Sequence, residues 1–179
     1  MSLQLSEFQG GEFYSDKMNL VITEIGLKMK ILYLIHAEEI DERALKTISR
    51  HCPHLTTLGL YNCEFQERPA DPPEEALYFP SRPEKDDMEL LLELSSLAIV
   101  SECPARYAVL LLSSALNVSH FKTGINCHLT DSDINTVFTK NQMKELVSWN
   151  MPASKFLTME TVNLLISNCD NLRSDQSGV

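Results

Sequence analysis

A short apolar pattern recurs along the chain and limits the folds open to it. The segments 29–37 (MKILYLIHA) and 55–63 (LTTLGLYNC) align directly, with apolar residues at their first, fourth and sixth positions. The same frame fits segments that start at Leu94, Val118 and Met143, so successive starts differ by 26, 39, 24 and 25 residues. Alternate positions of a strand face one side, so each copy predicts a strand with one buried face. One such unit cannot bury its apolar side alone, and the copies therefore predict stacked units.

Helical periodicity fills the intervals between these strands. In the segment 40–53 (IDERALKTISRHCP), apolar residues recur at helical spacing and the proline ends the helix. Further helices are predicted at 16–25, 107–114, 131–139 and 158–168, while Leu3 and Leu5 mark a first strand. The sequence therefore predicts an α/β protein with six strand positions and a seventh unit that begins at Leu172.

The complete unit consists of the pattern LxxLxLxxC, an apolar residue followed by Asp or Thr, an apolar helix, and a cysteine at the helix end. It resembles the cysteine-containing subfamily of leucine-rich repeats, and its best copies are the segments 40–52 and 157–169. Four positions depart from the pattern: Ala37 and Asn126 replace cysteine, and Thr123 and Ser148 replace leucine.

The resemblance implies one right-handed leucine-rich-repeat solenoid (a horseshoe) over residues 1–179, with parallel strands on the concave face and helices on the convex face. This subfamily is typical of F-box/leucine-rich-repeat proteins, the substrate-recognition subunits of SCF (cullin-type) ubiquitin ligases. It implies a protein-binding module that is not an enzyme and needs no cofactor, with the ligase adaptor bound through a segment absent here. A scaffold or inhibitor with the same repeats and no ubiquitin connection is the alternative. Because the chain starts inside a strand and stops as a seventh unit begins, we expect a fragment of a longer solenoid.

One stretch, residues 64–93, does not follow the repeat. It holds ten acidic and three basic side chains, a net charge of −7, and five of the eight prolines. This composition cannot bury enough apolar surface to fold alone, so we predict an exposed insertion followed by a short helix over 86–93. The insertion is either a solvated loop or a lid that contacts a partner, and the sequence does not decide between them.

The acidic balance of the chain narrows the range of partners. The 179 residues include 15 basic and 25 acidic side chains, a net charge of −10. Such a charge repels phosphate backbones and anionic lipids, so we expect neither nucleic acid nor a membrane as partner. The first thirty residues lack a signal-peptide pattern, which favours a cytoplasmic or nuclear protein whose five cysteines are reduced.

The residues that alternate with the buried leucines are candidates for binding, because they project onto the inner, concave face. Tyr33, Tyr61 and Trp149 are large aromatics at positions that the repeat does not need to bury, and such residues often anchor interfaces. Each could instead pack against a neighbouring strand or the insertion. We predict a protein-binding face that comprises Ile31, Tyr33, Ile35, Thr57, Tyr61, His120, Lys122, Glu145 and Trp149.

Catalytic and metal-binding patterns are missing from the sequence. It contains no phosphate-cradling glycine motif, no HExxH, no GxSxG and no CxxC pair. Cys127 and His128 are neighbours, and neighbouring residues of a strand or helix point apart, so they do not suit a nucleophile and its base. Cys52 is expected to be the buried cysteine at the end of its helix.

Overall fold

The computed structural model of the chain describes residues 1–6, 15–66, 88–152 and 156–172. Its strands are β1 (Ser2–Ser6), β2 (Ile31–Ile35), β3 (Thr57–Tyr61), β4 (Ser96–Val100), β5 (His120–Thr123) and β6 (Ser148–Asn150). Its helices are α1 (Ser15–Ile25), which runs into a 3-10 turn at Gly26–Lys28, α2 (Glu42–His51), α3 (Ala105–Ser114), α4 (Asp131–Lys140) and α5 (Met159–Asn168). The predicted α/β class, the first five strands and these five helices are confirmed, and the sixth strand is present but starts later than predicted.

The six strands form one parallel sheet in chain order, β1 to β6. Parallel neighbours need a crossover connection, and after β1, β2, β4 and β5 that connection contains a helix. Leu32 of β2 pairs with Leu58 of β3, which pairs with Leu97 of β4. Because side chains alternate along a strand, this register places the leucines of successive strands on the same face of the sheet.

That face is covered by the helices. One buried cluster joins strand leucines such as Leu34 to Ile48 of α2, Leu111 of α3 and Ile134 of α4. Each fully buried aliphatic side chain contributes about 1.5–3 kcal/mol, so this layer supplies most of the driving force for folding. The helices also pack in chain order, α1 on α2, α3 on α4 and α4 on α5. The opposite face of the sheet has no helix over it among the described residues.

The same backbone turn begins each unit. The Leu55 N–H donates to the Cys52 carbonyl at 3.1 Å, just after α2 ends. Equivalent bonds to the residue three positions earlier are made by Met29, Leu55, Leu94, Val118, Leu146 and Leu172. The starts of the units are therefore 26, 39, 24, 28 and 26 residues apart. Leu172 makes this bond where the seventh unit was predicted to start.

The frame predicted from Met143 is wrong by three residues. Asn141 follows α4 as Cys52 follows α2, but the strand-starting residue comes five positions later instead of three. Met143 takes up the extra length with a φ of 48°, and its N–H donates to the Asn141 side chain at 2.9 Å. The unit consequently starts at Leu146, so Trp149 stands at the fourth position of the frame and Met151, not Ser148, at the sixth.

The assignment of Asn126 to a cysteine position is also wrong. Asn126 is exposed, whereas Cys127 is 6% exposed and pairs with Cys103 in an isolated parallel bridge. Cys127 lies nine residues after Val118, while Cys63 lies eight after Leu55. One extra residue after the strand therefore shifts the buried cysteine by one position.

The predicted apolar–Asp/Thr pairs mark helix starts. The Asp41 carboxylate accepts from the Ala44 N–H at 2.8 Å, and the Thr158 hydroxyl accepts from the Glu160 N–H at 3.1 Å. Thr130 forms a reciprocal capping box with Asp133 at the start of α4. Each cap satisfies a backbone N–H that the first helical turn leaves unpaired.

Most of the predicted insertion, residues 67–87, lies outside the described residues. The helix predicted over 86–93 is wrong for residues 88–93, which form a connection without helix. There the Glu89 N–H donates to Ser49 of α2 at 3.2 Å and the Leu91 N–H donates to the Ser114 carbonyl of α3 at 2.9 Å. These backbone donors bond to neighbouring helices, so they do not form a helical ladder of their own.

Candidate functional site

The candidate binding surface is the sheet face that points away from the helices, called the open face below. Its middle row, read from β2 to β6 at one register position, is Tyr33, Gly59, Ala98, Lys122 and Asn150. The flanking rows are Ile31, Thr57, Ser96, His120 and Ser148 on one side, and Ile35, Tyr61 and Val100 on the other. The structure thus brings together seven of the nine predicted residues: Ile31, Tyr33, Ile35, Thr57, Tyr61, His120 and Lys122.

Two tyrosine rings lean together over a glycine on the open face. The ring centroids of Tyr33 and Tyr61 are 6.0 Å apart, and the ring planes are tilted by 58°. A Cβ atom at Gly59 would lie 2.5 Å from Cε2 of Tyr61 and 2.6 Å from Cδ1 of Tyr33. The missing side chain of Gly59 therefore lets both rings settle on the sheet. Burial, with the neighbouring Tyr33 as a smaller cause, raises the pKa of Tyr61 above its usual value.

The open face is apolar around this tyrosine pair. Ile31 and Ile35 flank Tyr33 along β2, and all three side chains are half-buried. Two strands away, Ala98 and Val100 of β4 are also half-buried and small enough to leave the sheet accessible. A cluster of apolar side chains is more informative than scattered ones, because large exposed apolar patches mark interaction sites.

The other end of the open face is polar and cationic. His120 and Lys122 of β5 are both exposed, and the His120 ring nitrogen Nδ1 lies 2.9 Å from the Ser119 hydroxyl. Lys122 makes no ion pair with any described residue. In the described strand rows of the open face, Lys122 is the one fixed positive charge, and it offers a contact for an incoming negative group.

A cavity of about 390 Å³ adjoins Lys122 at the carboxyl ends of β4 to β6. Its lining includes three asparagines that sequence reasoning missed, Asn62, Asn126 and Asn150, with Glu102 also in the lining. Asn62 follows β3 with a φ of 50°, a left-handed conformation that asparagine tolerates better than most residues. The available signal was that an asparagine occurs at or shortly after the end of three strands: Asn62 after β3, Asn126 after β5 and Asn150 at the end of β6.

Two predicted site residues, Glu145 and Trp149, are not on the open face. Trp149 pairs with Phe121 of β5 and packs against the core, with ring centroids 5.1 Å apart. Glu145 is exposed in the turn before β6 and belongs to no strand. Both errors follow from the frame that was set at Met143. A frame set at Leu146 places apolar residues at its first, fourth and sixth positions, which the frame set at Met143 does not.

The cysteine and histidine considered for catalysis do not face each other. The His128 ring is exposed and lies 5.6 Å, centroid to centroid, from Phe156. The Cys103 thiol donates to the Pro104 carbonyl at 3.5 Å, and the neighbouring Cys127 thiol, together with burial, raises the pKa of Cys103. A second cavity, of about 660 Å³, is lined by His128 and by Cys63, with Glu64 and Glu102 also on its wall. Cys127 does not line that cavity, so nothing there pairs it with a base.

Cys52 and Cys169, the cysteines that directly follow α2 and α5, are buried. Cys52 is fully buried directly after α2, as predicted, and Cys169 is 3% exposed after α5. Burial raises the pKa of each of these thiols to about 11. A thiolate is the nucleophilic form of cysteine, so both residues are suited to packing and not to reaction.

No protein-family model matches the chain, and no curated protein matches it in sequence. Among the described parts of the chain, none of the helices is both long and apolar enough to cross a membrane.

Proposed function

We propose that the chain is a right-handed leucine-rich-repeat solenoid, horseshoe-shaped, that binds a partner protein on its open face. The observation that carries this proposal is the tyrosine pair, Tyr33 and Tyr61, held over Gly59 beside the apolar side chains of β2 and β4. Aromatic rings that are already ordered lose little conformational entropy on binding, which suits them to anchoring an interface.

The recurring architecture supports the solenoid part of the proposal. A backbone turn, a parallel strand and a buried apolar frame recur in chain order, and helices cover one side of the sheet. In such arrays each unit contacts its neighbours, and the sheet face without helices offers a continuous surface for a partner.

We also propose that this module is the substrate-recognition region of an F-box-type subunit of a cullin ubiquitin ligase. Its support is the resemblance of the repeat unit, including the buried Cys52 and Cys169 at helix ends and the capping residues Asp41 and Thr158. In this role the chain holds a target protein, and other subunits transfer the ubiquitin.

The test of binding is chemical cross-linking of the tagged chain in cells, followed by mass spectrometry of its partners. A partner of the open face should cross-link to the wild-type chain and be lost from the double variant Tyr33→Ala/Tyr61→Ala. The matched control is Leu20→Ala/Ile166→Ala, which removes two exposed apolar side chains from α1 and α5. It should retain the partner, because both residues lie on the helical side.

Three results distinguish the proposed binding face, the ligase role and the scaffold or inhibitor role. Retention of every partner by the folded tyrosine variant, as judged by urea unfolding, would refute binding on the open face. A captured partner that accumulates when the proteasome is inhibited, and that becomes ubiquitinated only when the chain is present, supports the ligase role. Stable capture with no effect on partner ubiquitination would instead support a scaffold or inhibitor.

A further inference from the structure

The charge distribution of the open face indicates the chemistry of its partner, provided that this face binds a protein as proposed. The chain as a whole has a net charge of −10, yet none of the described side chains in the three strand rows of the open face is a carboxylate. Lys122 is the one fixed charge in those rows and forms no ion pair with a described residue. A negative group on the partner would pair with Lys122 on docking.

The cavity beside Lys122 favours a carboxylate as the group that enters. Asn62, Asn126 and Asn150 line it, and each amide offers two N–H donors in addition to the three of the ammonium group. A carboxylate has acceptor oxygens only, with about four lone-pair sites, so it can accept from several of these donors without leaving a donor of its own unpaired. Glu102 lies on the loop after β4 and also lines the cavity, so it opposes a carboxylate there and limits the depth of its entry.

The spacing of the apolar and cationic positions suits a helix that crosses the strands. Gly59 on β3, which lies under both tyrosine rings, and Lys122 on β5 share one row and are separated by two strand spacings, about 10 Å at about 4.8 Å per strand. Two turns of an α-helix advance about 11 Å, at about 5.4 Å per turn. Ala98, the small residue between them on β4, leaves room for the intervening turn. An extended peptide repeats its side chains about every 6.7 Å on one face, which does not match the strand spacing.

We infer that the partner segment is an α-helix lying across β3 to β5, with an apolar side chain on the Tyr33–Tyr61 pair and an aspartate or glutamate seven residues later at Lys122. The helix crosses the sheet in the direction of the rows. Its apolar anchor lies on rings that the sheet already holds in place. Its carboxylate reaches the ammonium group of Lys122 at the mouth of the asparagine-lined cavity.

The test uses a displayed library of helical peptides in which four positions of one helical face, i, i+3, i+4 and i+7, are randomised. Selection against the wild-type chain should enrich apolar residues at i and Asp or Glu at i+7. The selected peptides should lose binding to Tyr33→Ala/Tyr61→Ala. Their affinity for Lys122→Glu should fall about tenfold, the size expected for reversing an exposed ion pair, and the fall should shrink as salt is added.

Reversing the charge at Lys122 tests directly whether this residue selects the acidic position of the peptide. The same library selected against Lys122→Glu should enrich Lys or Arg at i+7, and Lys122→Arg should keep the original acidic consensus. Because Lys122 is exposed, these variants should unfold at the urea midpoint of the wild-type chain.

The outcomes separate the inference from the proposed function. Peptides that need the tyrosine pair but show no acidic preference at i+7 would overturn the inference and leave protein binding on the open face intact. Selected peptides that bind Tyr33→Ala/Tyr61→Ala as tightly as the wild-type chain would overturn both the inference and the proposed binding on the open face. Self-association of the wild-type chain in sedimentation, lost in the tyrosine variant, would overturn the inference because a second copy would then occupy the face.

Discussion

Replacing Gly59 by alanine tests whether the tyrosine pair is packed on the sheet as the structure describes. Gly59 lies within β3, where alanine is favoured over glycine by about 0.5–1 kcal/mol. The added Cβ, however, would meet the rings of Tyr61 and Tyr33 at 2.5 and 2.6 Å, and one or both rings must move. Overpacking of this kind costs about 1–3 kcal/mol. In the wild-type background we therefore expect Gly59→Ala to lower the free energy of unfolding by up to about 2 kcal/mol.

The same substitution should have the opposite sign when the rings are absent. In Tyr33→Ala/Tyr61→Ala the Cβ meets no ring, so Gly59→Ala should stabilise by about 0.5–1 kcal/mol. The coupling between the two backgrounds is then about 1–3 kcal/mol. Urea unfolding of all four proteins, followed by circular dichroism and by the fluorescence of the single tryptophan, measures this double-mutant cycle. Equal effects of Gly59→Ala in both backgrounds would refute the packing of the rings on Gly59.

Three further predictions concern the repeat array. Asp131 accepts hydrogen bonds from the Thr158 N–H, the Thr158 hydroxyl and the Thr161 hydroxyl, and these bonds, the Thr158 N–H bond most of all, lower the pKa of Asp131 to about 2. The stability that they provide should be present above pH 4 and be lost as the pH falls from 4 to 2. Asp131→Asn should therefore make the urea midpoint nearly independent of pH across that window. Asn141→Ala should destabilise by about 3 kcal/mol in urea unfolding, since it leaves the Leu112 carbonyl and the Met143 N–H without a partner and removes one of the two bonds to the Ala115 carbonyl. A similar loss in the exposed Asn135→Ala would contradict this. Trp149→Ala should lower stability by about 2–4 kcal/mol without changing peptide binding, and the reverse pattern would return Trp149 to the open face.

The sequence predicted the architecture well wherever the units have regular length. The segments 29–37 and 55–63, with a periodic helix between them, were sufficient to predict the repeating strand and helix, because leucine alternation and helical spacing are local signals. The start of the last strand was missed since its unit holds two extra residues after α4. Met143 absorbs them through a positive φ and Asn141 through a side-chain hydrogen bond, and neither effect leaves a hydrophobic pattern.

The candidate site was predictable only in outline. Alternation placed Tyr33, Tyr61 and Lys122 on the open face, but nothing local indicated that both rings would share Gly59, because that contact depends on the register of two strands. The asparagines of the cavity come from separate units and meet only at the sheet edge. Sites assembled by register across strands lie beyond what the period of a single strand can predict.

The two ends of the open face differ in how far binding is coupled to folding. At the tyrosine end, the rings pack on Gly59 and on each other, so a substitution that alters the anchor also alters the stability of the sheet. At the Lys122 end, the side chain is exposed and unpaired among the described residues, so its charge can change at little cost to the fold. If the open face binds a helix, affinity should therefore depend chiefly on the tyrosine pair. Discrimination between partners should depend on β5 and the cavity beside it, where the charge can vary without unfolding the array.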